Sequence, residues 1–127
     1  MRLLRIPFRL LAVLWQLGVG YWTIRVRFAA LNNAQRSEEV QRWSRRMLRA
    51  LGISLHLEGE APQQGPLMLV ANHLSWLDIL VVHAARHCRF VSKSEVHHWP
   101  LIGPMAAAGG TLFIERASRR DAMRVVH

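Results

Sequence analysis

The stretch Leu67-Met68-Leu69-Val70-Ala71-Asn72-His73-Leu74-Ser75-Trp76-Leu77-Asp78-Ile79-Leu80-Val81-Val82 decides how the fold is read. An apolar run enters a polar turn and a second apolar run leaves it, the pattern of a buried strand, a tight turn and a mostly buried helix. His73 and Asp78 lie five positions apart across that turn. On one straight helix they would point about 140° apart, because each residue advances the helix by about 100°. With His73 in the turn and Asp78 in the first helical turn, the backbone can fold the two together. A carboxylate so placed would fix one imidazole tautomer and leave the other nitrogen to take a proton.

Upstream of this unit, Ile53, Leu55 and Leu57 alternate with Ser54, His56 and Glu58, the period of a half-exposed strand. Gly59 to Pro66 is a turn-rich connection. Before it, Ser37 followed by Glu38 and Glu39 reads as a helix start, and Val40, Trp43, Met47, Leu48 and Leu51 recur at helical spacing as far as Gly52. Arg42, Arg45, Arg46 and Arg49 fill much of the rest of that helix. Either they form a solvated face behind a core-packing stripe or they hold the protein on anionic lipid, and both roles are compatible.

Downstream, the helix that begins at Asp78 carries His83, Arg86 and His87 on one side, as expected of a single wet face. Arg89 to Ser92 can form a third strand. After the Trp99-Pro100 turn a small-residue segment leads to Gly109-Gly110, and Thr111 to Glu115 supplies a fourth strand. Ser118 with Asp121 starts a final helix. Strands alternating with helices predict an α/β fold with a mixed, largely parallel sheet flanked by helices and functional groups at the carboxyl ends of the strands. The last helix has no following strand to cover, which would leave an open edge. The expectation is therefore an incomplete domain over residues 31–127, behind an anchor segment over residues 1–30.

That anchor rests on Leu10 to Ile24, apolar apart from Gln16 and small residues, and bracketed by Arg2, Arg5 and Arg9 before and by Arg25 and Arg27 after. As a helix it would extend only ~22 Å, short of the ~30 Å hydrocarbon core. A shallow or re-entrant element fits better than a full span, and Trp15, Tyr21 and Trp22 suit an interfacial depth. A secretory signal peptide is the rival reading, but Arg25 and Arg27 occupy the place of a small-residue cleavage site.

The 127 residues hold at most one domain, with 17 basic side chains, all but one of them Arg, against 8 acidic ones. The net charge of +9 implies an anionic partner: nucleic acid, a phospholipid surface or a phosphorylated substrate. Cys88 is the only cysteine, so no internal disulfide is possible and a cytosol-facing location is compatible. The spread of arginines, without a binding motif or a stacking platform of aromatics, argues against nucleic acid. His83 and His87 beside Cys88, followed by His97-His98, raise a metal site, but no acidic or cysteine cluster completes a ligand set. A structural membrane adaptor is a further alternative.

Asn72-His73-Leu74-Ser75-Trp76-Leu77-Asp78 matches N-H-x-S-x-x-D, and Gly110-Thr111-Leu112-Phe113-Ile114-Glu115-Arg116 matches G-x-x-F-I-x-R. Phe90-Val91-Ser92-Lys93 and Trp99-Pro100-Leu101-Ile102-Gly103 lie between them in the usual order. Over roughly residues 40 to 127 the chain resembles the glycerolipid acyltransferases, in particular the bacterial 1-acylglycerol-3-phosphate acyltransferases. The resemblance implies that His73 is the base that deprotonates a lysophospholipid hydroxyl for attack on an acyl thioester of acyl carrier protein or coenzyme A. It implies that Asp78 orients and charge-stabilises His73, and that Arg116 holds the acceptor's phosphate through its planar guanidinium. Glu115 and Lys93 are weaker candidates for the same pocket, Ser75 would orient the loop or cap the helix, and Asn72 would shape the turn. No cofactor and no metal are called for. The partners implied are the acyl donor, a lysophospholipid or lyso-aminolipid acceptor and the anionic cytoplasmic face of the inner membrane. The family's F-P-E-G-T or F-P-E-G-S signature and its later acyl-pocket segment have no counterpart up to His127, so the chain alone is expected to be inactive.

Overall fold

The computed structural model describes residues 5–60, 66–72 and 74–115. Helix α1, Arg5–Trp22, runs on through a π-helical stretch, Thr23–Arg27, and a 3-10 turn, Phe28–Ala30. Helix α2 is Asn33–Leu51, α3 is Leu77–Ala85 and α4 is Ile102–Ala108. Two short strands, β1 over Val91–Lys93 and β2 over Leu112–Ile114, pair in parallel, with α4 in the crossover between them. The architecture is helix-rich and broadly α/β, with three helices sharing a core and one small β-α-β unit beside them.

Helix α2 starts earlier than Ser37 predicts. The Asn32 side chain accepts from the Gln35 backbone N–H while the Gln35 side chain accepts from that of Asn32, a reciprocal cap that satisfies two otherwise orphaned donors. Ser37 lies inside the helix, its hydroxyl donating to the Asn33 carbonyl at 2.9 Å. The predicted end holds. Gly52 adopts φ 76°, and its N–H reaches the Arg49 and Leu48 carbonyls. The Arg9 guanidinium from α1 packs directly on Gly52, placing a cation at the negative end of the α2 dipole.

The core is small and formed where α2 meets its neighbours. Met47, Leu48, Leu80 and Ala84 are buried, with Val13 and Leu17 of α1 and Leu77 and Val81 of α3 packed against them. Gly20 lets α1 approach α2 closely, since a Cβ there would come within 2.6 Å of the Trp43 indole nitrogen. That nitrogen donates to the Gln16 carbonyl at 2.8 Å. At the other side of α2, Gln41 and Arg45 donate to the terminal carbonyls of α3. Gln41 Nε2 reaches the Ala85 oxygen at 2.9 Å and Arg45 Nε the Ala84 oxygen at 2.8 Å. These side chains serve carbonyls that a helix end leaves unpaired.

Two expected strands are absent from the described residues. Ile53 and Leu55 keep their alternation as burial against the core, but the segment makes no ladder. The stretch before the turn, predicted as a buried strand from Leu67 to Ala71, is exposed and without regular secondary structure, with Met68 at 86% and Val70 at 85%. Apolar periodicity specifies which face a strand would bury; the strand itself needs a neighbour to take its backbone hydrogen bonds, and the described residues supply none here. The third and fourth predicted strands do form, because each supplies the other's ladder. Leu112 N–H donates to the Phe90 carbonyl at 2.7 Å where the pair begins.

The region between them also differs from its reading. The small-residue segment is helix α4, whose Pro104 sits in the first turn, where its missing N–H costs nothing. The predicted wet face of α3 is largely dry: His83 is 7% exposed and His87 half-buried. The expected helix from Ser118 lies outside the described residues. Helix α1 extends the anchor reading at its amino end, and among the described residues no helix is long and apolar enough to cross a membrane.

Candidate active site

The turn between the exposed stretch and α3 is closed by Asp78. Its Oδ2 accepts from the backbone N–H of Leu74 at 2.6 Å and of Ser75 at 2.9 Å. The Ser75 hydroxyl in turn accepts from Leu77 N–H at 3.2 Å, and the Ser75 carbonyl from Asp78 N–H at 3.1 Å. This is a capping-box arrangement with a short acid in the third position, so Ser75 and Asp78 together start α3. The carboxylate also sits in the first helical turn, where the dipole favours its charge. Two charge-assisted bonds to adjacent amides fix the backbone that leads away from position 73. His73 itself lies outside the described residues, while its neighbours Asn72 and Leu74 are exposed.

Lys93 and Glu115 come from the sheet. Lys93 ends β1 opposite Ile114, the last residue of β2, and Glu115 follows immediately. Parallel pairing thereby brings a cation and an anion, both exposed, to the same carboxyl edge, where ligands bind in open α/β sheets. Arg116, the next residue, lies outside the described residues. The start of this segment is held by Arg89, whose Nε donates to the Gly110 carbonyl at 3.0 Å, with Gly110 at φ 83°. Arg89 has no marker in sequence beyond its closeness to Phe90. Only the glycine's left-handed conformation explains why that carbonyl turns towards it.

Behind α3 the His83 ring stacks on His87, centroids 5.1 Å apart and 12° between planes, and meets the edge of Phe90 at 4.9 Å. Burial, reinforced by the charge of His87, lowers the His83 pKa from 6.5 to about 4. Burial also lowers that of His87 and raises that of the Cys88 thiol, the last partly opposed by Arg86. The Nδ1 atoms of both imidazoles are buried without a hydrogen-bond partner among the described residues. These are neutral packing groups. No cluster of three or more His, Cys, Asp or Glu among the described residues could hold a metal ion. Two shallow hollows, of about 330 and 440 Å³, run along Arg45 and Arg49 of α2, and neither is lined by Asp78, Lys93 or Glu115.

A family model described as Acyltransferase matches residues 52–127, more than half of the chain and the part that contains the Asp78 turn and the Lys93/Glu115 edge. The chain belongs to the acyltransferase family. Among curated relatives it is 40% identical over 121 residues to a lyso-ornithine lipid O-acyltransferase of Pseudomonas aeruginosa, covering 93% of this chain and 46% of that protein. It is 40% identical over 87 residues to a 1-acyl-sn-glycerol-3-phosphate acyltransferase of Neisseria meningitidis, covering 68% of this chain and 34% of the relative. A lyso-ornithine lipid O-acyltransferase of Brucella abortus is 33% identical over 112 residues, covering 88% and 42%. This acyltransferase-family chain thus spans less than half the length of these relatives. No solved structure matches it significantly.

Proposed function

We propose that this chain carries the base and part of the acceptor pocket of an enzyme that transfers an acyl group from acyl carrier protein or coenzyme A to the free hydroxyl of a lyso-lipid. The observation that carries the reading is the Asp78 carboxylate, which closes the turn beside position 73 within the signature that resembles the family's catalytic one. In this role His73 takes the hydroxyl proton as the oxygen attacks the thioester carbonyl, the carbon–sulfur bond breaks, and the proton passes to the departing sulfur, which leaves as the thiol. Asp78 holds the turn and, as the resemblance implies, stabilises the charged imidazole. The nucleophile belongs to the acceptor, so no acyl-enzyme is needed.

Arg116, Lys93 and Glu115 form the acceptor's head-group edge in this reading. Relatives named for lyso-ornithine lipid and for 1-acyl-sn-glycerol 3-phosphate support two acceptors. An edge with both signs suits the ornithine head group, which carries an ammonium and a carboxylate, and arginine with lysine suits a phosphate. Helix α1 lies along the cytoplasmic face of the inner membrane. Phe8, Leu11, Trp15 and Trp22 are exposed on it, and Arg9, its only charge between Ile6 and Trp22, folds back onto Gly52.

The test is acyl transfer by the whole protein to each lyso-lipid, with His73→Ala beside the natural sequence. Transfer is abolished in His73→Ala while vesicle association is unchanged; substantial remaining turnover would sink the base assignment. Arg116→Ala raises the acceptor concentration needed for half-maximal rate, and an unaltered dependence would count against head-group contact.

A further inference from the structure

The turn from Trp99 to Ile102 has no part in that chemistry, yet its backbone is strained. Leu101 stands at φ 63° and ψ −53°, and Ile102 N–H donates to the Pro100 carbonyl two residues back at 2.7 Å. This is the γ-turn of positive φ, rare and unfavourable for a residue with a Cβ. Glycine would serve a turn that only had to reverse the chain. Leucine is here instead, 37% exposed, between Trp99 at 55% and Ile102 at 45%. From Trp99 to Ile114 the sequence holds no Asp, Glu, Lys, Arg or His. The turn thus keeps Trp99, Leu101 and Ile102 exposed together, with the strain confined to Leu101 and no charged side chain of its own.

This surface adjoins α1. Ile102 opens α4 three residues before Met105, on the same side of the helix, and Leu101 immediately precedes it. Met105 packs beside Gly20 of α1, where an added Cβ would stand 3.2 Å from its methyl carbon. The exposed turn therefore borders the helix whose outward apolar face is read above as lying on a bilayer. The turn itself offers an acidic protein no cation, whereas an exposed tryptophan next to aliphatic side chains has the composition of a membrane–water interface.

We propose that the Trp99–Ile102 turn is a second bilayer contact, entering the lipid interface beside α1. The inference rests on the membrane reading of α1 and adds a point on the β-α-β unit, so that the edge bearing Lys93 and Glu115 is held against the surface from which a lyso-lipid arrives.

The experiment uses the whole protein with Cys88→Ser and a single environment-sensitive fluorophore on Ile102→Cys, mixed with phosphatidylethanolamine and phosphatidylglycerol vesicles that carry a chain-attached quencher. The same label on Trp15→Cys reports α1. Quenching at both positions is the expected result. Quenching at 15 alone overturns the turn contact and leaves the α1 reading intact; quenching at neither overturns both. A spectral shift at 102 that follows protein concentration and ignores vesicles assigns the patch to a second copy of the chain and also overturns the proposal. In unlabelled protein Ile102→Asp weakens vesicle partitioning by about tenfold, and unchanged partitioning refutes the contact.

Discussion

Protonation of His83 should destabilise this protein in a defined pH window. The ring is 7% exposed, stacked on His87 and edged by Phe90, and its pKa falls from 6.5 to about 4. The sign follows from which state binds the proton. Above about pH 6.5 the imidazole is neutral in both states and stability is at its full value. Between 6.5 and 4 the unfolded chain takes up a proton that the folded chain refuses, so stability falls as pH falls, and below 4 the loss is complete. At 1.36 kcal/mol per pH unit, the gap amounts to about 3 kcal/mol, a large part of the stability of a small domain. His87, lowered in the same direction, adds to the slope. The assay is urea unfolding at a series of pH values from about 7.5 to about 3.5, for the natural sequence and for His83→Leu. Leucine keeps an apolar filling against Phe90 and has nothing to titrate. Comparing the two removes the carboxylates that also protonate at low pH, because they act in both proteins. The natural protein should lose about 3 kcal/mol more than His83→Leu across the window. Parallel curves, or a proton NMR titration that puts the His83 ring near 6.5 in the folded state, would refute the reasoning.

The remaining predictions concern the turn and the α1–α2 seam. Asp78→Ala leaves the Leu74 and Ser75 amides without their acceptor and should lower stability by about 1–3 kcal/mol; acyl transfer by the whole protein should fall by about 10²-fold or more. Asp78→Asn, which keeps a neutral acceptor, should recover much of the stability and little of the rate. Gly20→Ala inverts the usual helix rule. A Cβ would meet the Trp43 ring at 2.6 Å, so this substitution should lower the melting temperature. Gly18→Ala, with nothing within 4 Å, should raise stability by about 0.5–1 kcal/mol. Equal effects at the two glycines in thermal denaturation would contradict the close approach.

The readable parts of the fold were those whose cause is local. Gly52 ends α2 because a left-handed cap needs a glycine, and the helix after Trp76 starts where Ser75 and Asp78 stand three apart, both visible as residue types at a spacing. The start of α2 was misplaced because Ser37-Glu38-Glu39 looks like a better cap than Asn32 with Gln35; the reciprocal bonds decide between them only once the chain is folded. The strand over 53–57 rests on side-chain alternation and that over 67–71 on a continuous apolar run, and neither pattern says whether a ladder partner exists. His83 reads as part of a wet face because histidine counts as polar; its burial depends on Phe90, beyond the end of α3, and on Gly109, far along the sequence. Of the candidate site, the sequence points to Asp78 as the partner of His73 and to Ser75 only as a loop or cap residue, so their joint cap emerges from the structure, and the Lys93/Glu115 edge follows only from strand order. Arg89 was not legible at all, since its partner is a backbone carbonyl 21 residues away.

The Trp43 indole bonded to the Gln16 carbonyl has a practical meaning for anyone handling this protein. A segment that looks like a removable tether is one wall of the interior: Val13 and Leu17 cover the Met47/Leu48 core, and Arg9 seals the end of α2. Cutting the chain at Asn33 would uncover the indole and those core side chains together, exchanging one exposed apolar surface for another. Residues 5–30 should therefore be treated as part of the folding unit from the first purification step.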